Sequence, residues 1–297
     1  MNSITFQDAD RPAYTFKAFD NPLTPGDTDP AFLALTNGLT VQDSSSNVTF
    51  ESSIHFYLWS GNHVLNVGSG ATVTVAGNAD ELILDPDSPF SASVEKQGNG
   101  TLILSGSNSF DGGMSVTGGT LLVGNDNAVG TGILKLYNGT ALGVTSGGSI
   151  TLGNLISLDC NPCATVTIDL GCTDTLKLTG NISGAAGLKQ TGGGTLALSG
   201  SNDFSGGVKV RSGTLLVGSD SALGTGTLSL DDGTTLGVIS GSRYHAQQPD
   251  FARLQSLRGD HDRSGLQRRP CPDRCDLRRR RPGADWRHTG PVGRQSF

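Results

Sequence analysis

Apolar and polar residues alternate in short runs through the middle of the chain. The run Thr101–Leu104, Thr-Leu-Ile-Leu, is typical and is followed by the small polar residues Ser105–Asn108. Leucine or valine at every second position is the pattern of a strand with one buried side, and clusters of glycine, serine and asparagine mark turns. The pattern therefore predicts many short strands joined by tight turns over residues 41–240.

The same pattern repeats along the chain. Residues 98–148 and 192–242 align without a gap at an offset of 94 residues, and 33 of the 51 positions are identical. Within each copy a Gly-Thr-Leu tripeptide recurs after 19 residues, and a looser version follows after 20 more. A period near 20 with strand alternation indicates the coils of a β-solenoid. A two-sheet sandwich is the alternative, which the regular spacing disfavours.

The turns of each copy carry residues suited to solenoid corners. Glycine pairs at Gly112-Gly113 and Gly206-Gly207 are predicted to supply positive φ angles or close backbone approach. An asparagine and a phenylalanine precede each glycine pair. We expect these asparagines to stack along the solenoid and the phenylalanines to be buried; they are Asn108 and Phe110, with Asn202 and Phe204 in the second copy.

These motifs resemble the autotransporter passenger-associated strand repeat. Residues 98–124 and 192–218 both follow Gly-x-Gly-Thr-Leu-x-Leu-Ser-Gly-x-Asn-x-Phe-x-Gly-Gly and the Val-x-x-Gly-Thr-Leu segment after it. The resemblance implies a right-handed parallel β-helix, exported through the outer membrane by a C-terminal β-barrel to the cell surface. Neither that barrel nor a signal peptide is recognisable here, so we expect a passenger fragment. Residues 1–40 are interpreted as an irregular lead-in.

The last part of the chain, residues 241–297, has a different composition. It carries 13 Arg, no Lys and 6 Asp, whereas residues 1–240 carry 8 Lys+Arg and 21 Asp+Glu. Such a segment buries little apolar surface, and we expect it to be disordered. Read one base later with GC-rich codons, Asp276–Gly283 gives Ile-Ser-Gly-Ala-Ala-Gly-Leu, the heptapeptide at Ile182–Leu188. We therefore interpret residues 243–297 as a third repeat translated in another frame.

Motifs within this tail are discounted for that reason. They are the integrin-type tripeptide Arg258-Gly259-Asp260, the arginine run Arg278–Arg281 that suggests nucleic-acid binding, and a Cys271, Cys275 and His288 set that falls short of four zinc ligands. We expect no nucleic-acid partner. No run of about 20 apolar residues occurs, which predicts no membrane-spanning helix.

Three cysteines lie in the body of the chain. Cys160 and Cys163 flank Asn161-Pro162, and Cys172 follows. A metal site lacks a fourth ligand, and a redox motif requires a helix start that a solenoid does not provide. We predict a Cys160–Cys163 disulfide, which suits an exported protein and leaves Cys172 unpaired or as the alternative partner.

The acidic and basic residues form no catalytic set. Asp231-Asp232 is the one tight acidic pair of the repeats, and the first copy has Tyr137-Asn138 there. The segments Asn125–Asn127 and Ser219–Ser221 are interpreted as turns rather than calcium sites. We expect a structural stalk or adhesin-like role without enzymatic activity or cofactor, an unidentified surface ligand, and self-association through an open solenoid edge. A β-helix carbohydrate-active enzyme, a polysaccharide lyase or hydrolase, is the alternative.

Overall fold

The computed structural model describes residues 4–6, 13–16, 31–35, 38–42, 47–58, 60–81, 91–159 and 165–240. These residues form 26 β-strands and no helix. They accordingly contain no helix long and apolar enough to cross a membrane. The all-β class predicted from the alternation is confirmed.

The strands are short and follow one another with few residues between them. The first nine are β1 (Ile4–Phe6), β2 (Ala13–Phe16), β3 (Ala31–Leu35), β4 (Gly38–Val41), β5 (Asn47–Phe50), β6 (Ile54–Leu58), β7 (Gly61–Val67), β8 (Thr72–Val75) and β9 (Ala79–Glu81). The next eight are β10 (Ala92–Gln97), β11 (Thr101–Leu104), β12 (Met114–Val116), β13 (Thr120–Val123), β14 (Leu134–Tyr137), β15 (Ala141–Val144), β16 (Ser149–Leu152) and β17 (Ile156–Asp159). The last nine are β18 (Thr165–Leu170), β19 (Thr175–Leu178), β20 (Ile182–Gly184), β21 (Gly187–Gly192), β22 (Thr195–Leu198), β23 (Val208–Val210), β24 (Thr214–Val217), β25 (Leu228–Leu230) and β26 (Thr235–Val238).

The strands stack into parallel sheets that form three faces of a solenoid. The first face is the sheet β1-β4-β7-β10-β12-β14-β17-β20, and the second is β2-β5-β8-β11-β13-β15-β18-β21-β23-β25. The third face carries the sheet β3-β6-β9 and later the sheet β16-β19-β22-β24-β26. Neighbours within each sheet come from successive coils, as the predicted β-solenoid requires.

The core lies between the three faces and is built from the alternating positions. Leu102, Leu121 and Leu142 occupy successive coils of the second face in register, and each is fully buried. The residues that alternate with these leucines on β11 and β13 are partly exposed; they are Thr101 and Ile103, and Thr120 and Leu122. Each coil thus buries its leucines and valines only because the next coil covers their edges.

Glycine pairs shape the corner before β12 and before β23. Gly113 has a φ of 85° and Gly207 a φ of 77°, a region that favours glycine. A Cβ on Gly113 would lie 2.6 Å from the carbonyl oxygen of Ile133 in the next coil, closer than atoms pack. The predicted role of these pairs, positive φ together with close approach, is confirmed.

The two copies of the repeat lie on different faces. In the first copy β10 and β11 belong to the first and second faces, whereas the equivalent β21 and β22 belong to the second and third. Four coils separate β10 from β20 on the first face, and β21 then begins on the next face. The 94-residue offset therefore corresponds to four coils plus one face.

Parallel pairing also extends into the range that the sequence analysis treats as an irregular lead-in. Strands β1, β2 and β3 pair in register with β4, β5 and β6. They are short and the intervals between them are uneven, so no 20-residue period marks them. The predicted tail over 241–297, with its Arg258-Gly259-Asp260, Arg278–Arg281 and Cys271, Cys275 and His288 motifs, lies outside the described residues.

Candidate interaction surface

Two asparagine side chains are buried inside the solenoid, and each one bonds to the coil before it and the coil after it. The Oδ1 of Asn202 accepts from the backbone N–H of Ile182 at 2.8 Å, and its Nδ2 donates to the carbonyl of Ala222 at 2.6 Å. Asn108 bonds in the same way to Ala79 before it and Ala128 after it. Both side chains therefore bond the backbone of neighbouring coils rather than the next asparagine.

The phenylalanine two residues later is buried in each copy. Phe110 is 1% exposed and Phe204 is fully buried, as predicted. Each lies beside the positive-φ glycine of the following coil, Gly130 or Gly224, where a Cβ would meet the ring. The asparagine and phenylalanine motifs of the repeat therefore serve the stacking of coils and are unavailable to a ligand.

A buried lysine occupies one corner of the first copy, which sequence reasoning missed. The Nζ of Lys96 donates to the carbonyl oxygens of Gln97, Gly98 and Gly118 at 2.7–3.0 Å. Gln190 takes this place in the second copy. Its Nε2 donates to two carbonyl oxygens at the equivalent corner. The signal was available, because Lys96 falls on the inward phase of the Val94–Lys96 alternation.

Burial lowers the pKa of Lys96 from 10.5 to about 8. The folded chain then releases this proton near pH 8, whereas the unfolded chain holds it until about pH 10.5. Stability therefore rises with pH across this window, because the unfolded state binds more protons. We expect Lys96→Gln to remove this rise, which amounts to at most about 3 kcal/mol. Melting of both proteins from pH 7 to 10.5 checks it, and parallel curves would contradict it.

The acidic motifs of the repeats are engaged in turns and ion pairs. Asp231 lies 3.9 Å from the Nζ of Lys209, and Asp232 is exposed. Asn125 accepts from the N–H of Asn127, and Asp126 from the N–H of Thr151 in the next coil. These bonds confirm turns at that segment. Across the described parts of the chain, no three His, Cys, Asp or Glu side chains are grouped so as to hold a metal ion.

One serine, histidine and aspartate set lies on the third face. Asp80 accepts a hydrogen bond from Ser109 Oγ at 2.8 Å and lies 3.9 Å from the Nδ1 of His55. A nucleophilic triad requires the serine to bond the histidine, with the carboxylate behind it. Here the serine bonds the carboxylate instead of the histidine. The second copy has Asp203 at the position of Ser109. The arrangement is that of a surface polar contact.

Cys172 is disulfide-bonded, so the alternative that left it unpaired is wrong. The other four cysteines, including Cys160 and Cys163, lie outside the described residues. A Cys160–Cys163 bond stays a prediction, and so does its alternative, in which Cys172 is the partner of one of these two cysteines.

Peptide mapping of the unreduced protein tests this pairing. The prediction expects a peptide closed internally between Cys160 and Cys163, with neither thiol alkylated before reduction. A peptide in which Cys172 is linked to Cys160 or Cys163 would contradict it, because one cysteine forms a single disulfide.

The outward residues of the first face form a polar groove. It has a volume of about 440 Å³ and crosses β7, β10, β12 and β14. The polar side chains that line it are Asn62, Ser93, Glu95, Asp111, Ser115 and Lys135. Four successive coils contribute to it, so their proximity follows from coil stacking and not from spacing along the chain.

Several positions on the equivalent strands of the second copy are basic, and those strands lie on the second face. Lys189 replaces Glu95, Lys209 replaces Ser115, and Arg211 replaces Thr117. Lys189 and Lys209 are direct neighbours on adjacent parallel strands. The two copies therefore present different charges on different faces while keeping the same core.

A protein-family model described as passenger-associated-transport-repeat matches residues 94–123 and 188–217. The chain is also similar to the adhesin BmaC autotransporter of Brucella suis biovar 1 (strain 1330). The two are 36% identical over 202 residues, which cover 63% of this chain and 6% of that protein. No solved structure matches the chain significantly. The chain therefore spans a small part of its relative's length, and two segments of its solenoid match the passenger-associated-transport-repeat model.

Proposed function

We propose that the chain is a non-enzymatic segment of a surface-exposed passenger, acting as a stalk with adhesive outer faces. The observation that carries this is the distribution of differences between the two copies. Of the 18 positions that differ among the 51 aligned, only Met114 and Val129 are buried in the first copy. Their replacements, Val208 and Leu223, preserve the core. The two copies have kept the buried residues on which the coils stack and differ in the residues that face solvent. This is the pattern expected when binding resides in the outer surface.

The relatives support the same role at a coarser level. The matched protein is named an adhesin and an autotransporter. We propose that this chain is likewise exposed at the cell surface and binds a surface or host component there. A solenoid suits this role because its stacked coils provide long flat faces for contact.

Catalysis has little support among the described side chains. Polysaccharide cleavage requires an acid and a base placed around one bond. The repeats carry basic groups singly or beside one another, and the acidic pair Asp231-Asp232 is present in one copy alone. The Asp80, Ser109 and His55 contact lacks the geometry of a nucleophile and base.

Display of the full chain on a non-adherent bacterial host tests the proposal. We expect increased adhesion to host-cell or extracellular-matrix surfaces, and no new reducing ends or unsaturated uronates after incubation with acidic polysaccharides. The matched control is the Asn108→Ala/Asn202→Ala variant, whose coils are destabilised while its outer residues are unchanged. Polysaccharide cleavage by the wild type, or equal adhesion of cells without the chain, would overturn it.

A further inference from the structure

The groove on the first face contains an ordered hydrogen-bond network on one side. Asn62 Nδ2 donates to Glu95 Oε2 at 2.9 Å, and Gln97 Nε2 donates to Glu95 Oε1 at 2.8 Å. Ser93 Oγ donates to Asn62 Oδ1 at 3.1 Å. The carboxylate of Glu95 is therefore held in a fixed orientation at the groove wall, with acceptor capacity left for a ligand.

The other side of the groove presents uncommitted polar groups. Asp111, Ser115 and Lys135 have no side-chain hydrogen bond or ion pair within the described part of the chain. Their groups supply an acceptor, a hydroxyl and a donor, facing the same concave space. Together with Glu95 they give the groove a formal charge of -1, so it does not favour a polyanion.

One exposed apolar side chain lines the groove, and two more lie beyond it on the same face. Ile133 lines the groove and is 44% exposed, and Leu155 on the next coil is 54% exposed. Tyr137 is 37% exposed and lies on the same outer side of β14 as Lys135, two residues along. An aromatic ring and branched aliphatic side chains offer surfaces for the C–H faces of a sugar ring.

The second copy lacks the whole set. Its equivalents of Glu95, Asp111 and Lys135 are Lys189, Ser205 and Ser229, and its equivalents of Ile133 and Tyr137 are Thr227 and Asp231. Polar and apolar members have changed together while the strands beneath them have not. The groove is therefore a property of the first copy and not of the repeat in general.

We propose that this groove binds an uncharged oligosaccharide. Hydroxyl groups of such a ligand match the carboxylates on the two sides of the groove, an amide, a serine and one lysine. A ring face of the ligand matches Ile133, and Tyr137 offers a second apolar surface beyond the lining on the same face of β14. A cationic peptide would be attracted by the carboxylates of Glu95 and Asp111 but repelled by the ammonium group of Lys135. The proposal rests on the adhesive role and names the chemical class of one ligand for it.

Titration of the full chain with cellohexaose, maltohexaose and mannohexaose by calorimetry and saturation-transfer NMR tests the proposal. We expect at least one hexasaccharide to bind, and Asp111→Ser/Lys135→Ser to weaken that binding at least 10-fold. Both substitutions introduce the residue that the second copy carries on the same backbone. The control Lys177→Ser, on the outer side of β19, retains wild-type binding.

Three results would overturn the inference. They are no binding of any of the three hexasaccharides, equal binding by the groove variant, and binding of heparin or an oligolysine peptide instead. Adhesion of the displayed chain that persists in the groove variant would leave the proposed function standing and remove only this site. Adhesion of cells displaying the wild type that is no greater than that of cells without the chain, with hexasaccharide binding retained, would do the reverse.

Discussion

Replacement of Asn202 by alanine is expected to lower the free energy of unfolding by about 2–5 kcal/mol. The side chain satisfies the N–H of Ile182 in the coil before it and the carbonyl of Ala222 in the coil after it. Alanine leaves both groups buried without a partner and opens a gap between coils. Urea-induced unfolding followed by circular dichroism measures the change, and Asn108→Ala is expected to behave similarly.

The control for this prediction is Asn99→Ala. Asn99 is exposed and follows a corner glycine, and the second copy has Gly193 in its place. We expect its effect to stay within about 0.5 kcal/mol. A loss at Asn202 no larger than the loss at Asn99 would show that the asparagine does not hold successive coils together.

The second large effect concerns the end of the described solenoid. Leu228, Leu230 and Leu236 are only partly buried. Their equivalents in the first copy are 0–1% exposed beneath a further coil; they are Leu134, Leu136 and Leu142. Strands β25 and β26 are the last of their sheets among the described residues. Partly exposed leucines and strand edges that no described strand covers favour pairing with another chain.

We therefore expect the purified chain to self-associate in a concentration-dependent manner. Sedimentation velocity measures this, and Val238→Lys is expected to reduce association at least 5-fold because a charged edge opposes strand pairing. Val238 is 43% exposed, so the substitution should leave the melting temperature nearly unchanged. A wild type that stays monomeric over the accessible concentrations would contradict the prediction.

The hypothesis that residues 243–297 are translated in another frame gives a second way to cover the C-terminal end of the described solenoid, by adding further coils. If residues 243–297 are a third repeat in another frame, deleting one base near codon 242 restores Gly-Thr-Leu periodicity downstream. The added coils should bury the three leucines, raise the melting temperature and reduce self-association. A gene that never encodes Ile-Ser-Gly-Ala-Ala-Gly-Leu in this region, in any frame, would refute the hypothesis.

The coils could be predicted because their strands and corners are determined by residues close together in the sequence. Thr101–Leu104 alternates with period two, and Gly113 stands where only a residue tolerant of positive φ fits. The burial of Phe110 was predicted correctly. The partners of Asn108 were not, because stacking on another asparagine and bonding to the backbone of neighbouring coils cannot be distinguished in one sequence.

The position of the second copy could not be read from the repeat. Coil length varies, because Thr101 pairs with Thr120 after 19 residues while Ser149 pairs with Thr175 after 26. Such differences accumulate until the second copy lies one face away. The groove was missed for the same reason, since Asn62 and Lys135 line one groove only because four successive coils stack.

The placement of the two copies on different faces puts the groove of the first copy and the basic row of Lys189 and Lys209 on different sides of the solenoid. It is tested most directly by joining engineered cysteines with a short bifunctional thiol reagent and mapping the linked peptides. Thr167 and Lys189 are register partners on the second face, where adjacent strands lie about 4.8 Å apart. We predict that Thr167→Cys/Lys189→Cys is linked efficiently and Ser157→Cys/Lys189→Cys is not. Linkage of Ser157→Cys to Lys189→Cys in place of the first pair would put the second copy on the first face and contradict this structure.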